Sequence, residues 1–265
     1  MEYSDEKINK LIEDIYDGVV DAKNLPVDLY KAIANYLKKA LYEGFGTSYN
    51  AALENLDGSS LELLSELRTN IYMFSAAKTY QQVREMVDLM VKDDKLKTFV
   101  EFKSEAKDVY NIYNEDYLKS EYNTALASAQ EAENWDRIER EKEVLPYLRY
   151  SAVMDANTSE ICAPLNNLVA PVNDPIWNTI APPNHFNCRC LLETLDKEEG
   201  SNLETPTSEK NSVVKSVESE MQDVFKMNSG KDAYIFKPDH PYFSVPKEDR
   251  EYAQNNFNLP IPKKD

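Results

Sequence analysis

Residues Pro182 to Cys190 read PPNHFNCRC, which holds two of the chain's three cysteines and one of its two histidines. With Cys162 upstream, the chain offers three thiolates and one imidazole in the pattern C-x22-H-x2-C-x-C. Cys162, His185, Cys188 and Cys190 form a ligand set suited to tetrahedral Zn²⁺, which takes sulfur and nitrogen donors. The spacing is not that of the paired knuckles of zinc fingers and ribbons. Cys188 and Cys190 lie one residue apart, and in an extended segment their side chains would point to opposite faces, so joint ligation needs a tight turn.

Other chemistries stay open at this point. The cysteines could be small buried hydrophobes, with His185 bonded to a turn carbonyl. A disulfide from Cys162 to Cys188 or Cys190 would clip the module, against the reducing potential of a cytoplasm. A thiolate nucleophile at Cys162 activated by His185, with Asp155 or Asn184 orienting the ring, would make a Cys-dependent hydrolase. An HNH-type nuclease needs more histidines and a basic groove than this stretch supplies. Arg189, between two cysteines, could pair with Asp155 or Glu160 and pin the loop.

Helices precede this cluster. Ile8, Leu11, Ile12 and Ile15 share a helical face before Gly18, and Leu29, Ile33, Leu37 and Leu41 mark a second helix over about 27–43. Ser59-Ser60-Leu61-Glu62 has the spacing of a capping box ahead of Leu64, Leu67, Ile71 and Phe74. Helical stretches are expected over 99–113 and 117–144, and the texture then changes at Pro146, where 147–153 reads as a strand and Pro and Asn punctuate the chain up to Cys190. Trp135 and Trp177 read as core anchors. The polar stretch after Leu195 reads as a flexible linker, Val213 to Phe225 as another amphipathic helix, and the aromatic tail from Asn228 as a segment that packs on its own chain or on a partner.

The expected class is α+β, mainly α: a helical N-terminal region, a small loop-rich module with short β-strands, and a short C-terminal extension. The expected divisions are 1–114, 115–197, a linker at 198–212, and 213–265. With 42% hydrophobic residues in 265, the chain can build its core without disulfide staples. Thirty basic against 47 acidic side chains give a net charge of −17, which disfavours binding to nucleic acid or to anionic membranes. The charged opening MEYSDEKINK does not read as a signal peptide, and no apolar run reaches the length of a membrane span, so a soluble intracellular product is expected.

Taken in order, EYNTALASAQEAENWDRIE, the stretch from Leu145 to Cys190 and NSGKDAYIFKPDHPYF resemble the phage Mu F-like minor head proteins, related to the SPP1-type head morphogenesis family. Glu121, Tyr150, Asp155, Cys162, Asp174, Trp177, Pro182, Pro183, Cys188, Arg189 and Cys190 occupy the positions of that pattern. Asn167 stands where a glycine is commoner, and Asn tolerates the same left-handed turn. The resemblance implies a structural protein of the virion, not an enzyme, that docks to the portal or the major capsid protein and acts in head assembly, DNA packaging or ejection. The alternative is a hydrolase or injected effector using Cys162 and His185.

Overall fold

The computed structural model describes residues 1–262. Helix α1 (Asp5–Tyr16) starts at Ser4, whose hydroxyl accepts the Lys7 N–H, and buries Ile8, Leu11, Ile12 and Ile15. Gly18 ends this segment in the left-handed region at φ +71°, which a side chain would strain. Helix α2 (Val27–Gly44) buries Leu29, Ile33, Leu37 and Leu41 completely. A short α3 (Tyr49–Asn55) leads to α4 (Gly58–Asp88).

The start of α4 differs from the sequence reading. Asp57, not Ser59, is the cap: its carboxylate accepts the Ser60 N–H at 2.9 Å and the Ser59 hydroxyl at 2.9 Å. Strands β1 (Val91–Lys92) and β2 (Lys95–Leu96) then form a hairpin through Asp93 and Asp94, both left-handed as a type I′ turn requires. Thr98 and Glu101 make the capping box of α5 (Phe99–Asn111). A π-helical stretch, Ile112–Tyr117, leads into α6 (Leu118–Glu141).

Strand β3 (Tyr147–Ser151) lies between β4 (Val169–Pro171) and β5 (Leu191–Leu195) in an antiparallel sheet of order β4-β3-β5. The short α7 (Trp177–Ile180) stands between β4 and β5. Helices α8 (Lys197–Leu203), α9 (Thr207–Glu220) and α10 (Ser229–Asp232) follow. The architecture is the expected one, α+β and mainly α.

Two expectations about chain organisation meet a different arrangement. Residues 198–212, read as a flexible linker, are largely helical: Asp196 caps α8 by accepting the Glu199 N–H at 2.8 Å, and α9 buries Val214 and Val217. Most of their polar side chains face solvent, which gives helix and linker the same composition. The compact units also cut across the sequence divisions. One comprises Met1–Lys39, Arg68–Tyr122 and the chain from Pro238, and the other Ala40–Leu67 and Asn123–Lys237.

In the first unit the tail packs on its own chain. The Tyr242 hydroxyl donates to Glu121 Oε1 at 3.0 Å, and Gln81 donates to the carbonyls of Tyr242 and Ser244. Asp249 pairs with Lys23 and Tyr80, and the Tyr30 hydroxyl donates to the Pro260 carbonyl at 2.7 Å. Beneath Tyr242 lies a fully buried Lys78, 2.8 Å from Glu121 Oε1 and 5.2 to 6.0 Å from the ring centres of Tyr113, Tyr117 and Tyr242. Burial pushes the Lys78 ammonium down and the Glu121 carboxyl up, while each opposes the shift of the other.

In the second unit the core gathers Trp135, Leu148, Tyr150, Trp177, Leu192, Val214, Val217 and Phe225. Both tryptophans are core anchors, as the sequence suggests. Gly230 lies so close to Trp135 that an added Cβ would sit 2.4 Å from the Trp135 Cβ, so only glycine fits there.

Removing one partner of a buried ion pair strands the other. Glu121→Ala is therefore expected to cost about 3–5 kcal/mol in urea unfolding, and the double change Lys78→Met, Glu121→Leu to recover most of that loss. Equal losses in the single and double variants would show that packing, not charge, sets the cost.

Candidate functional site

The site of interest lies in the second unit and is built outward from β3. Alternation along the strand turns Leu148 and Tyr150 into the core, while Arg149 faces outward and pairs with Glu193 on β5 at 2.9 Å. Tyr150 stands opposite Leu192 in the register. Its N–H donates to the Leu168 carbonyl at 2.8 Å, and its carbonyl accepts the Asn167 N–H at 2.9 Å. Asn167 adopts φ +65°, the left-handed conformation the sequence suggests for it.

This anchoring sets the ends of the loop that carries Cys162. Within the loop, the Cys162 N–H donates to the Ser159 hydroxyl at 3.1 Å. The second loop supplies the tight turn that Cys188 and Cys190 need. The Cys188 N–H donates back to the His185 carbonyl at 3.2 Å, and Asn187 at the third position of the turn is left-handed, with φ +60°. The Asn123 side chain holds the Asn187 amide at 2.7 Å.

The two loops bring the three thiols together, all within 4.8 Å of one another. The Cys162 and Cys188 sulfurs are 3.8 Å apart, and Cys162 is only 1% exposed. His185 is not a member of this 4.8 Å group. His185, Cys162 and Cys190 line one small cavity of about 20 Å³ together with Ser159 and Arg189. The Nδ1 of His185 lies 2.8 Å from the Phe186 carbonyl.

Hydrogen bonds from Cys188 and Cys190 hold the Cys162 thiol well below its ordinary value. The bond to Cys162 pushes Cys188 up to about 11, and the bonds to both neighbours raise Cys190 as well. The three thiols therefore titrate as one coupled group, in which loss of a first proton makes the next harder to remove. Cys162 raises the His185 imidazole.

Tyr150 and Asn184 complete the arrangement, Asn184 bonding Tyr150 and not orienting the His185 ring. The Tyr150 hydroxyl donates to Cys162 Sγ at 3.4 Å, and the fully buried Asn184 donates to that hydroxyl at 2.9 Å. Burial, then the nearby thiolates, push the Tyr150 phenol far above its ordinary value. Arg189 pairs with Asp155 through two hydrogen bonds of 2.8 and 2.7 Å, and that fork holds the Asp155 carboxyl at about 2. Both partners are exposed, so the pair clips the loop at the surface.

A larger groove of about 630 Å³ lies along β5 and α6, lined by Glu131, Asn134, Arg137, Cys188, Cys190 and Leu192 among others. Strand β5 is an edge of its sheet, and the outward Leu192 carbonyl accepts from the Asn134 amide at 3.1 Å, which also donates to the Glu131 carboxylate at 3.3 Å. Glu131 lies on the helical stripe of Ser128, Trp135 and Ile138, and its acidic character on that buried face was the available signal.

Residues 77–193 match the family described as Phage Mu protein F like protein, and this segment contains all four candidate ligands. Over that segment, which is under half of the chain, the sequence is similar to the Mu F-like phage proteins. It is 34% identical over 80 residues to the Mu-like prophage FluMu F protein of Haemophilus influenzae, covering 30% of this chain and 18% of that relative. It is 36% identical over 78 residues to the Putative capsid assembly protein F of Escherichia phage Mu, covering 29% and 18%. The chain thus spans less than a fifth of the length of these relatives. No solved structure matches it.

Burial holds Glu131 up at about 8, against an ordinary 4.5. The folded state therefore binds a proton that the unfolded chain has lost, and stability falls as pH rises between those values, by roughly 1.4 kcal/mol per pH unit for this group alone. Urea midpoints from pH 5 to pH 9 are expected to decline through this window, and Glu131→Gln to flatten the decline. An identical slope in the variant would assign the pH dependence elsewhere.

Proposed function

We propose that this protein is a phage head component acting in capsid assembly, docked at the portal vertex or on the inner capsid surface and assisting DNA packaging or ejection. The observation that carries this reading is the match of residues 77–193 to the Mu F-like family, together with the capsid-assembly name of the phage Mu relative. The shared segment is under a fifth of those relatives, so the likeness supports a role for this domain and not for the rest of those proteins.

The physical character of the chain agrees. A net charge of −17 repels packaged DNA and directs recognition to protein surfaces. Among the described residues, no helix is long and apolar enough to cross a membrane. The aromatic tail is folded into the first unit, so a partner meets a preformed surface instead of ordering a loose arm.

A thiol hydrolase would need Cys162 open to substrate. Cys162 is 1% exposed among other sulfurs, and the cavity beside it has about 20 Å³, room for a single ion or water. This geometry favours the assembly role over the enzyme.

Co-expression with the portal and major capsid proteins of the same phage, followed by gradient sedimentation, tests the proposal. The chain is expected to travel with assembled heads at a fixed, low copy number. Its absence from heads assembled in its presence would exclude a structural role.

A further inference from the structure

The geometry points to a zinc site in the second unit, with Cys162, Cys188, Cys190 and His185 as ligands and Asn184 and Tyr150 as positioning residues. It does not depend on the role in head assembly.

Sulfur spacing is the first argument. Two thiolates on a tetrahedral zinc, each about 2.3 Å from the metal, stand about 3.8 Å apart. Cys162 and Cys188 have their sulfurs at 3.8 Å, and the third thiol is within 4.8 Å of both. A disulfide needs about 2.05 Å, so the pair is held at metal-bridging distance and not at bonding distance.

The fourth position follows from the cavity. Cys162, Cys190 and His185 line a space of about 20 Å³, enough for one ion. His185 lies in the tautomer that ligation requires when Nδ1–H donates to the Phe186 carbonyl, because Nε2 then carries the free lone pair. Three sulfurs and one imidazole favour zinc over hard cations such as magnesium or calcium, which seek oxygen.

The supporting shell is also in place. Asn184 donates to the Tyr150 hydroxyl, which donates to Cys162 Sγ, so the sulfur is aimed before any ion arrives. Such outer partners typically change metal affinity by about 10–100-fold when removed.

The test uses the full chain purified under reducing conditions. Elemental analysis should find one zinc per chain, and Co²⁺ in its place should give thiolate charge-transfer absorption. Cys190→Ser and Cys188→Ser should each lower retained zinc below one per chain. Tyr150→Phe should keep the stoichiometry but lose zinc to a chromophoric chelator at about 10–100-fold lower chelator concentration. Because a cysteine variant could simply misfold, thiol counting on the parent protein provides an independent reading: all three thiols should be masked until a chelator is added. Three thiols that react freely in a folded, zinc-free parent overturn the site. A Tyr150→Phe protein that holds zinc as tightly as the parent overturns the positioning role while leaving the four ligands standing.

Discussion

The hydroxyl of Tyr150 is the point on which the second unit turns. Its backbone lies in the central strand, opposite Leu192 on one side and bonded to Asn167 and Leu168 on the other. Its side chain meets Cys162 and Asn184, which belong to different loops. A buried phenol must place its O–H somewhere, and here it can do so only if both loops close correctly. Sheet register and cluster geometry are therefore one constraint. A one-residue slip of β3 would turn Tyr150 outward and leave Cys162 without its donor.

The two units meet the same problem, distant segments that must be fastened, by similar means. Among the described residues, the buried carboxylates are Glu121, Glu131 and Asp249. Glu121 joins α4 to the tail through Lys78 and Tyr242, Asp249 joins the tail to Lys23 and Tyr80, and Glu131 joins α6 to the edge of β5 through Asn134. A desolvated carboxylate is costly unless it is fully bonded, so each of these pins a specific pairing instead of adding general stability. Placing Asn134 on the outward carbonyl of Leu192 also closes the sheet edge against pairing with another chain.

What could be read in the sequence was what repeats locally. The stripes Ile8–Ile15 and Leu29–Leu41 declared their helices, because burial of one face leaves a period of 3.6. The thiols and His185 were legible by residue type, and Asn167 by its tolerance of positive φ. The turn from His185 to Cys190 was required by the thiols, and Asn187, at φ +60°, marks it by the same tolerance, a signal the sequence reading did not use. The pairing of Lys78 with Tyr242, separated by 164 positions, was out of reach because no local pattern encodes it. The same holds for units assembled from discontinuous stretches. Residues 198–212 failed for another reason: a helix that buries only a few valines has the polarity of a linker.

These features together say where recognition can and cannot occur. Cys162 and Cys188 are buried and the cavity beside the cluster holds about 20 Å³, so recognition of a large partner falls to other surfaces. The tail is spent on covering Lys78. Since three of the 47 acidic side chains are buried among the described residues, nearly all of that charge faces solvent, where at physiological salt it acts over about 8 Å. Such a surface discriminates at short range, repelling phosphate and accepting partners of opposite charge. A preformed surface of this charge also costs little ordering entropy when a partner docks on it.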